Sequence, residues 1–207
     1  MKITKLYFKH NCNAYAIGDK NGPCILIDPG YNKNGILDKY LSRNYASVEL
    51  VLLTHGHYDH FSGLRNLKNV ENMQIVIHQD DAEKLDDPRT NCSTFDNDEI
   101  ILQANPHLVH DGETIKSLGL TIIVIHTPFH TSGSVCFYIP ELRALFSGDT
   151  LFHLSIGRSD LPTSSARNIQ TSLDKLKKLP PDTIVYPGHG ETTTIKNELL
   201  FNEYMKK

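Results

Sequence analysis

A chain of 207 residues with 39% hydrophobic content is long enough to bury a sizeable core without disulfide support. A formal net charge of −3 and a sequence pI near 6.4 provide no broad basic field, which argues against nucleic acid or an anionic membrane as the main partner. Cys12, Cys24, Cys92 and Cys136 form no C-x-x-C pair, no signal-peptide pattern opens the chain, and no run approaches the ~18 apolar residues that span a bilayer, so a cytoplasmic protein with reduced thiols is expected.

In chain order, short apolar, β-branched runs predict strands at residues 3–8, 14–18 and 24–27. The last two are joined by a hairpin turn over 19–22, with Gly22 expected at positive φ. A helix follows Asn34-Gly35, with Ile36, Leu37, Tyr40 and Leu41 on one face. Strands at 50–53 and 74–77, a short helix at 80–85 and a polar surface loop at 86–97 come next. Strands at 120–125, 135–139 and 144–146 precede the clearest helix, 164–179. Its Ile169, Leu173, Leu176 and Leu179 recur at three- and four-residue spacing until Pro180-Pro181. A strand at 183–186 and a helix at 196–204 close the pattern. Early hairpins and later strand–helix alternation predict a mixed α/β protein, with 1–207 as one domain.

The 11 histidines sit beside turn residues rather than along helical faces. The densest group is Thr54-His55-Gly56-His57-Tyr58-Asp59-His60, directly after the strand at 50–53. Three imidazoles and a carboxylate so close together cannot all be core groups, because each would need its own buried partner. Imidazole nitrogens with a carboxylate oxygen suit a divalent cation of borderline softness. Gly56 is expected to supply the tight turn. His130, Asp149 and His189 each follow a strand end beside a glycine or proline: His126-Thr-Pro-Phe-His-Thr-Ser-Gly133, Ser147-Gly-Asp-Thr150 and Pro187-Gly-His-Gly190. Loops at strand ends are where a rigid α/β scaffold presents function.

The T-H-x-H-x-D-H element, His130, Asp149, His189 and the early Leu26-Ile-Asp-Pro-Gly30 together resemble the metallo-β-lactamase superfamily, in the right order from about residue 13 to 190. Asp111-Gly-Glu113, the run 126–134, Phe146-Ser-Gly-Asp-Thr-Leu-Phe152 and Gly157-Arg-Ser-Asp160 look most like its glyoxalase II-like branch. The resemblance implies a four-layer αββα sandwich with two divalent cations at one edge of the paired sheets, zinc foremost, with iron or manganese as alternatives. It implies that His55, His57 and His130 hold the first cation, that Asp59, His60 and His189 hold the second, and that Asp149 bridges them. Asp28 is then expected to orient a ligand by hydrogen bonding. The implied reaction is hydrolysis of a small-molecule thioester such as S-lactoylglutathione, by hydroxide held on the cations and hydrogen-bonded to Asp59 as catalytic residue. A thiolate leaving group needs no strong general acid. Alternatives on the same fold are a one-iron persulfide dioxygenase, a lactonase or a phosphodiesterase. A non-catalytic metal-binding protein is an alternative of another class.

Two departures from the branch carry consequences. Phe129 stands where the family usually has Gly, which either re-aims the backbone beside His130 or narrows the substrate mouth. The chain ends about eighteen residues after His189, so the glutathione-binding helical domain of two-domain relatives is expected to be absent. Arg158 is a candidate for an anionic substrate group, with an ion pair to Asp160 as the structural alternative. His153 is a second candidate to face substrate, and Tyr58 is placed at the pocket rim. His126 is expected to cap a hydrogen-bond network, and His10, His78, His107 and His110 to be surface or structural. Cys12, Cys24 and Cys136 read as small buried hydrophobes, and Lys175, Lys177 and Lys178 as a solvated face.

Overall fold

A computed structural model describes residues 1–6 and 12–206. Its first half contains β1 (Lys2–Leu6), β2 (Ala14–Gly18), β3 (Pro23–Ile27), α1 (Ile36–Asn44), β4 (Ser47–Leu52), the single turn α2 (Tyr58–Phe61), β5 (Gln74–His78) and β6 (His107–Val109). These six strands form one sheet in sequential order, antiparallel from β1 to β3 and parallel from β3 to β6. The second half adds β7 (Thr114–Ser117), β8 (Leu120–His126), β9 (Val135–Ile139), β10 (Ala144–Gly148), the ribbon β11 (Leu151–Phe152) and β12 (Ser155–Ile156), α3 (Ile169–Leu176), β13 (Ile184–Pro187), β14 (Thr193–Thr194) and α4 (Ile195–Phe201). Its sheet runs β7-β8-β9-β10-β13-β14, with only the β10–β13 pair parallel.

Alternation along each strand decides what its two faces meet. Tyr15 and Ile17 of β2, Ile25 and Ile27 of β3, and Leu50 and Leu52 of β4 join Ile122, Val124, Phe137 and Phe146 of the other sheet in one buried cluster. The intervening Ala14, Ala16, Cys24 and Leu26 pack on the opposite face with Leu37 and Leu41 of α1. On the far side, Cys136, Tyr138 and Leu145 meet Leu173 and Leu176 of α3 and Ile195 of α4. The result is the four-layer αββα order that the motifs imply. Among the described residues, no helix is long and apolar enough to cross a membrane.

The differences from expectation have local causes. Asn21, not Gly22, takes the positive φ (64°) of the β2–β3 turn, because an asparagine tolerates the left-handed region and Gly22 only needs to donate to the Asp19 carbonyl. The segment expected as a helix at 80–85 is a 3-10 helix, Gln79–Leu85. The helix expected over 164–179 shrinks to α3, preceded by the 3-10 turn Ala166–Asn168. Ser164 and Ser165 instead bond to the carbonyls of His130 and Phe129. The 86–97 stretch is not wholly a surface loop. Asn91 is buried, donating to the Lys84 and Ile100 carbonyls and accepting from the Ser93 amide. Of the expected first strand, Tyr7 and Phe8 lie outside the described residues, as does His10. The short strands β6, β7 and β14 lack an apolar run of their own and form by pairing with longer neighbours.

Phe137 is fully buried between the sheets, so Phe137→Ala is expected to lower the unfolding free energy by about 3–5 kcal/mol in urea titration. Phe201→Ala, at an exposed position, should change it by no more than about 0.5 kcal/mol. Equal effects at the two positions would contradict this layering.

Candidate metal centre

The candidate side chains all stand past the carboxyl ends of strands: Asp28 after β3, His55 to His60 after β4, His130 after β8, Asp149 after β10 and His189 after β13. Because β8, β10 and β13 run in one direction, their ends share an edge. Cross-sheet bonds hold that edge to the first sheet. Val135 donates to the Thr54 carbonyl at 2.8 Å, Asn13 donates to the Gly188 carbonyl at 2.6 Å, and the Tyr15 hydroxyl donates to the Pro187 carbonyl at 2.7 Å.

Two triads form there. His57 Nδ1 lies 3.1 Å from His55 Nε2 and 3.0 Å from His130 Nε2, so three ring nitrogens converge on one point. In the second group, Asp59 Oδ2 lies 3.3 Å from His189 Nε2 and 3.7 Å from His60 Nε2. Asp149 stands between them. Its Oδ2 is 3.5 Å from His130 Nε2 and 3.6 Å from His189 Nε2, and its Oδ1 is 3.4 Å from His60 Nε2. Asp28 accepts from the Thr54 amide (2.8 Å) and hydroxyl (2.7 Å), and its Oδ2 sits 3.0 Å from His60 Nδ1 in a charged contact not aligned as a hydrogen bond. His130 is oriented from behind by its Nδ1 contact with the Arg158 carbonyl, at 2.8 Å.

This arrangement does not satisfy itself. Among the described residues, His60 Nε2 and Asp149 Oδ1 are buried in the cluster without a hydrogen-bond partner, at a cost of about 1–3 kcal/mol for each such group. A tetrahedral cation with ligand bonds of about 2.0–2.1 Å sets nitrogens roughly 3.3 Å apart, close to the spacing of the first triad. The donor set therefore fits divalent cations: three imidazoles in one triad, two imidazoles and a carboxylate in the other, and Asp149 facing both.

The same crowding sets the charges. Burial, and then the neighbouring imidazoles, hold His55 well below the ordinary histidine range; burial and His130 bring His57 down to about 4. Against their own burial, Asp59 and Asp149 are lowered by His60 and His189, with His130 also acting on Asp149. Burial opposes charge at His60 and His189 too, but both are raised: His60 by Cys12 and by Asp59, Asp28 and Asp149, and His189 by Asp59 and Asp149.

The model of the metallo-beta-lactamase superfamily matches residues 8–189. The chain belongs to that superfamily. An uncharacterized protein of Mycobacterium leprae is 34% identical over 208 residues, covering 94% of each chain. Among solved structures, the B3 metallo-beta-lactamase BLEG-1 superposes with a TM-score of 0.91 at 28% identity, covering 100% of both chains. TTHA1623 in a di-iron-bound form gives 0.80 at 30% identity, covering 99% of this chain and 100% of its own. Members of the superfamily are metal-dependent hydrolases that bind divalent cations at His and Asp sites.

In this member, the triads open into a cleft of about 460 Å³. Tyr58, Phe95, Phe152 and Leu161 supply much of its apolar lining, with Cys92, Asp96 and Arg158 alongside. Phe95 and Asp96 come from the polar 86–97 stretch, where the sequence shows only an isolated aromatic as a signal. Tyr58 donates its hydroxyl to Asp96 at the rim. Arg158 makes a forked pair with Asp160 at 2.6 and 2.8 Å while lining the cleft. His153 is exposed and turns instead toward a groove with Ile184 and Asn197. Phe129 is fully buried and absent from the cleft lining, so it does not narrow the mouth.

The remaining histidines and lysines fall largely as expected. His126 contacts the Ser132 carbonyl and stacks on the buried His78 at 4.0 Å, while His107 and His110 are exposed. Lys175 is not merely solvated: it donates to Asp111 and to the His126 carbonyl. All four cysteines are free and buried. Gly56 has no positive φ. It is needed because a Cβ there would stand 2.7 Å from Lys84 Cβ, a matter of close approach rather than turn geometry.

A Cβ at Gly188 would stand 2.3 Å from Asp149 Oδ1 and 2.7 Å from His60 Cε1. Gly188→Ala should therefore retain the fold by circular dichroism and lose metal by elemental analysis; full metal retention would contradict this packing. Only neutral imidazole ligates. With His60 and His189 raised and His55 and His57 lowered, protons compete for the second triad at higher pH. Dialysis at falling pH should release that metal first, beginning above the ordinary histidine value of about 6.5. Simultaneous release of both would contradict this order.

Proposed function

We propose that this chain is a dinuclear thioester hydrolase of the glyoxalase II-like branch, acting on S-acyl thiols such as S-lactoylglutathione. The observation that carries the reading is Asp149, placed between two complete triads at the floor of a partly apolar cleft. His55, His57 and His130 would hold one cation, Asp59, His60 and His189 the other, with Asp149 shared and zinc the first choice. Bound there, the cations would supply hydroxide at neutral pH and polarise the carbonyl oxygen under attack.

The chain's own residues do the rest. Asp59 has one face on His189, is held ionised by the imidazoles around it and reaches the cleft. It therefore offers a hydrogen-bond acceptor that would orient the attacking oxygen. Tyr58, Phe95, Phe152 and Leu161 shield the scissile bond from bulk water and provide surface for the acyl or thiol chain. A thiol of ordinary pKa, about 8.5, departs as thiolate without a strong general acid, which supports a thioester over a poorer leaving group. Free, buried cysteines support a reducing compartment.

Purified protein should hydrolyse S-lactoylglutathione, lose that activity to a chelator and regain it with Zn²⁺. His57→Ala and Asp59→Ala should each lower kcat at least about 10²-fold with the fold intact. Thioester turnover that survives chelation, or an inert protein that consumes oxygen with a persulfide, would overturn the proposal.

A further inference from the structure

Outside the two triads lies an ion pair that takes no part in the cleft lining. Asp81 and Lys84 both have fully buried side chains and meet at 2.9 Å. Isolated in an apolar interior, such a pair is a poor source of stability, because desolvating two charges offsets most of their attraction. Its hydrogen bonds suggest another use. Asp81 Oδ2 accepts from the Gly56 amide at 2.8 Å and the Thr131 hydroxyl at 2.6 Å. Asp81 Oδ1 accepts from the Gly133 amide at 2.7 Å and lies 3.4 Å from the Ser132 hydroxyl. Lys84 also donates to the Ser132 hydroxyl at 3.1 Å and the Asp80 carbonyl at 3.2 Å.

Gly56 separates His55 from His57, and Thr131 follows His130. One carboxylate thus grips both loops that carry the first triad, loops from different sheets. The glycines are cut to the same contact. A Cβ at Gly56 would stand 2.7 Å from Lys84 Cβ, and one at Gly133 would stand 2.6 Å from the Asp81 amide nitrogen and 2.7 Å from its Cβ. Among the described residues no hydrogen bond joins Asp81 to a ring nitrogen of the triad, so its direct grip is on the loops that carry the rings.

We infer that Asp81 is a positioning residue that sets the spacing of His55, His57 and His130, and so the affinity of the first cation site, while Lys84 neutralises the carboxylate that does so. The inference rests on the ligand reading above, but not on thioester chemistry. An amide at position 81 cannot reproduce it, because its NH2 end would face N–H and O–H donors that now meet an acceptor.

The test is Co²⁺ binding by the full chain, stripped of metal and followed by visible absorption and competition against a chelator. Asp81→Asn should weaken the first site by about 10–100-fold, the range for groups that orient metal ligands, and leave the second site within twofold. The double variant Asp81→Asn/Lys84→Met removes the stranded ammonium. It should regain thermal stability relative to the single variant without regaining Co²⁺ affinity, which separates positioning from a merely structural role. Thr131→Val, deleting one arm of the grip, gives the same direction by several-fold if the position 81 variants do not fold. Unchanged first-site affinity in Asp81→Asn, or affinity that recovers together with stability in the double variant, would overturn the inference. A wild-type chain that binds no Co²⁺ would overturn the ligand reading and this inference together. Two sites filled in the wild type with no thioester turnover would overturn only the thioesterase reading.

Discussion

Everything about this fold is arranged around bringing together groups that oppose one another when left alone. His57 Nδ1 stands 3.1 and 3.0 Å from the ring nitrogens of His55 and His130, and Asp59 and Asp149 share one imidazole, His189, at 3.3 and 3.6 Å. Buried His60 Nε2 and Asp149 Oδ1 face each other without bonding. Such a cluster persists only if its backbone is held independently of it. Two sheets supply that hold: their interleaved faces bury one continuous core, and the bonds from Val135, Asn13 and Tyr15 tie the strand ends of one to the loops of the other.

That rigidity also gives the centre its asymmetry. Burial among other imidazoles keeps His55 and His57 neutral, whereas carboxylates surround His60 and His189 and favour their charged forms. The first triad is a neutral nitrogen site gripped from behind by Asp81. The second is richer in negative charge and nearer the cleft, since Asp59 and His189 keep part of their surface exposed.

How much of this the sequence disclosed depends on range. His55, His57, Asp59 and His60 lie within one turn of chain, so their spacing alone marks chemistry. His130, Asp149 and His189 were legible because each follows an apolar strand and sits beside a glycine or proline. Apolar runs likewise placed β2 and β9 to the residue, and missed β14, which is two threonines paired with β13. Asp81 and Lys84 were not legible. In His-Gln-Asp-Asp-Ala-Glu-Lys-Leu they read as the polar side of a helix, and their partners lie 25 to 52 residues away. Phe95 and Asp96 were hidden in a polar stretch for the same reason: what folds it over the cleft is the buried Asn91, bonded to Lys84 and Ile100. Local pattern reveals ligands, while the contacts that aim them are long-range and leave no local pattern.

On the reading proposed above, two cations, not one, complete this cluster. Elemental analysis of the chain, purified without added metal or chelator and referred to its protein concentration, tests it most directly. About two zinc, iron or manganese ions per chain are expected from two complete triads sharing Asp149. One iron per chain, unaltered when Asp59, His60 or His189 is replaced by Ala, would contradict the account and leave the second triad without the role given to it here.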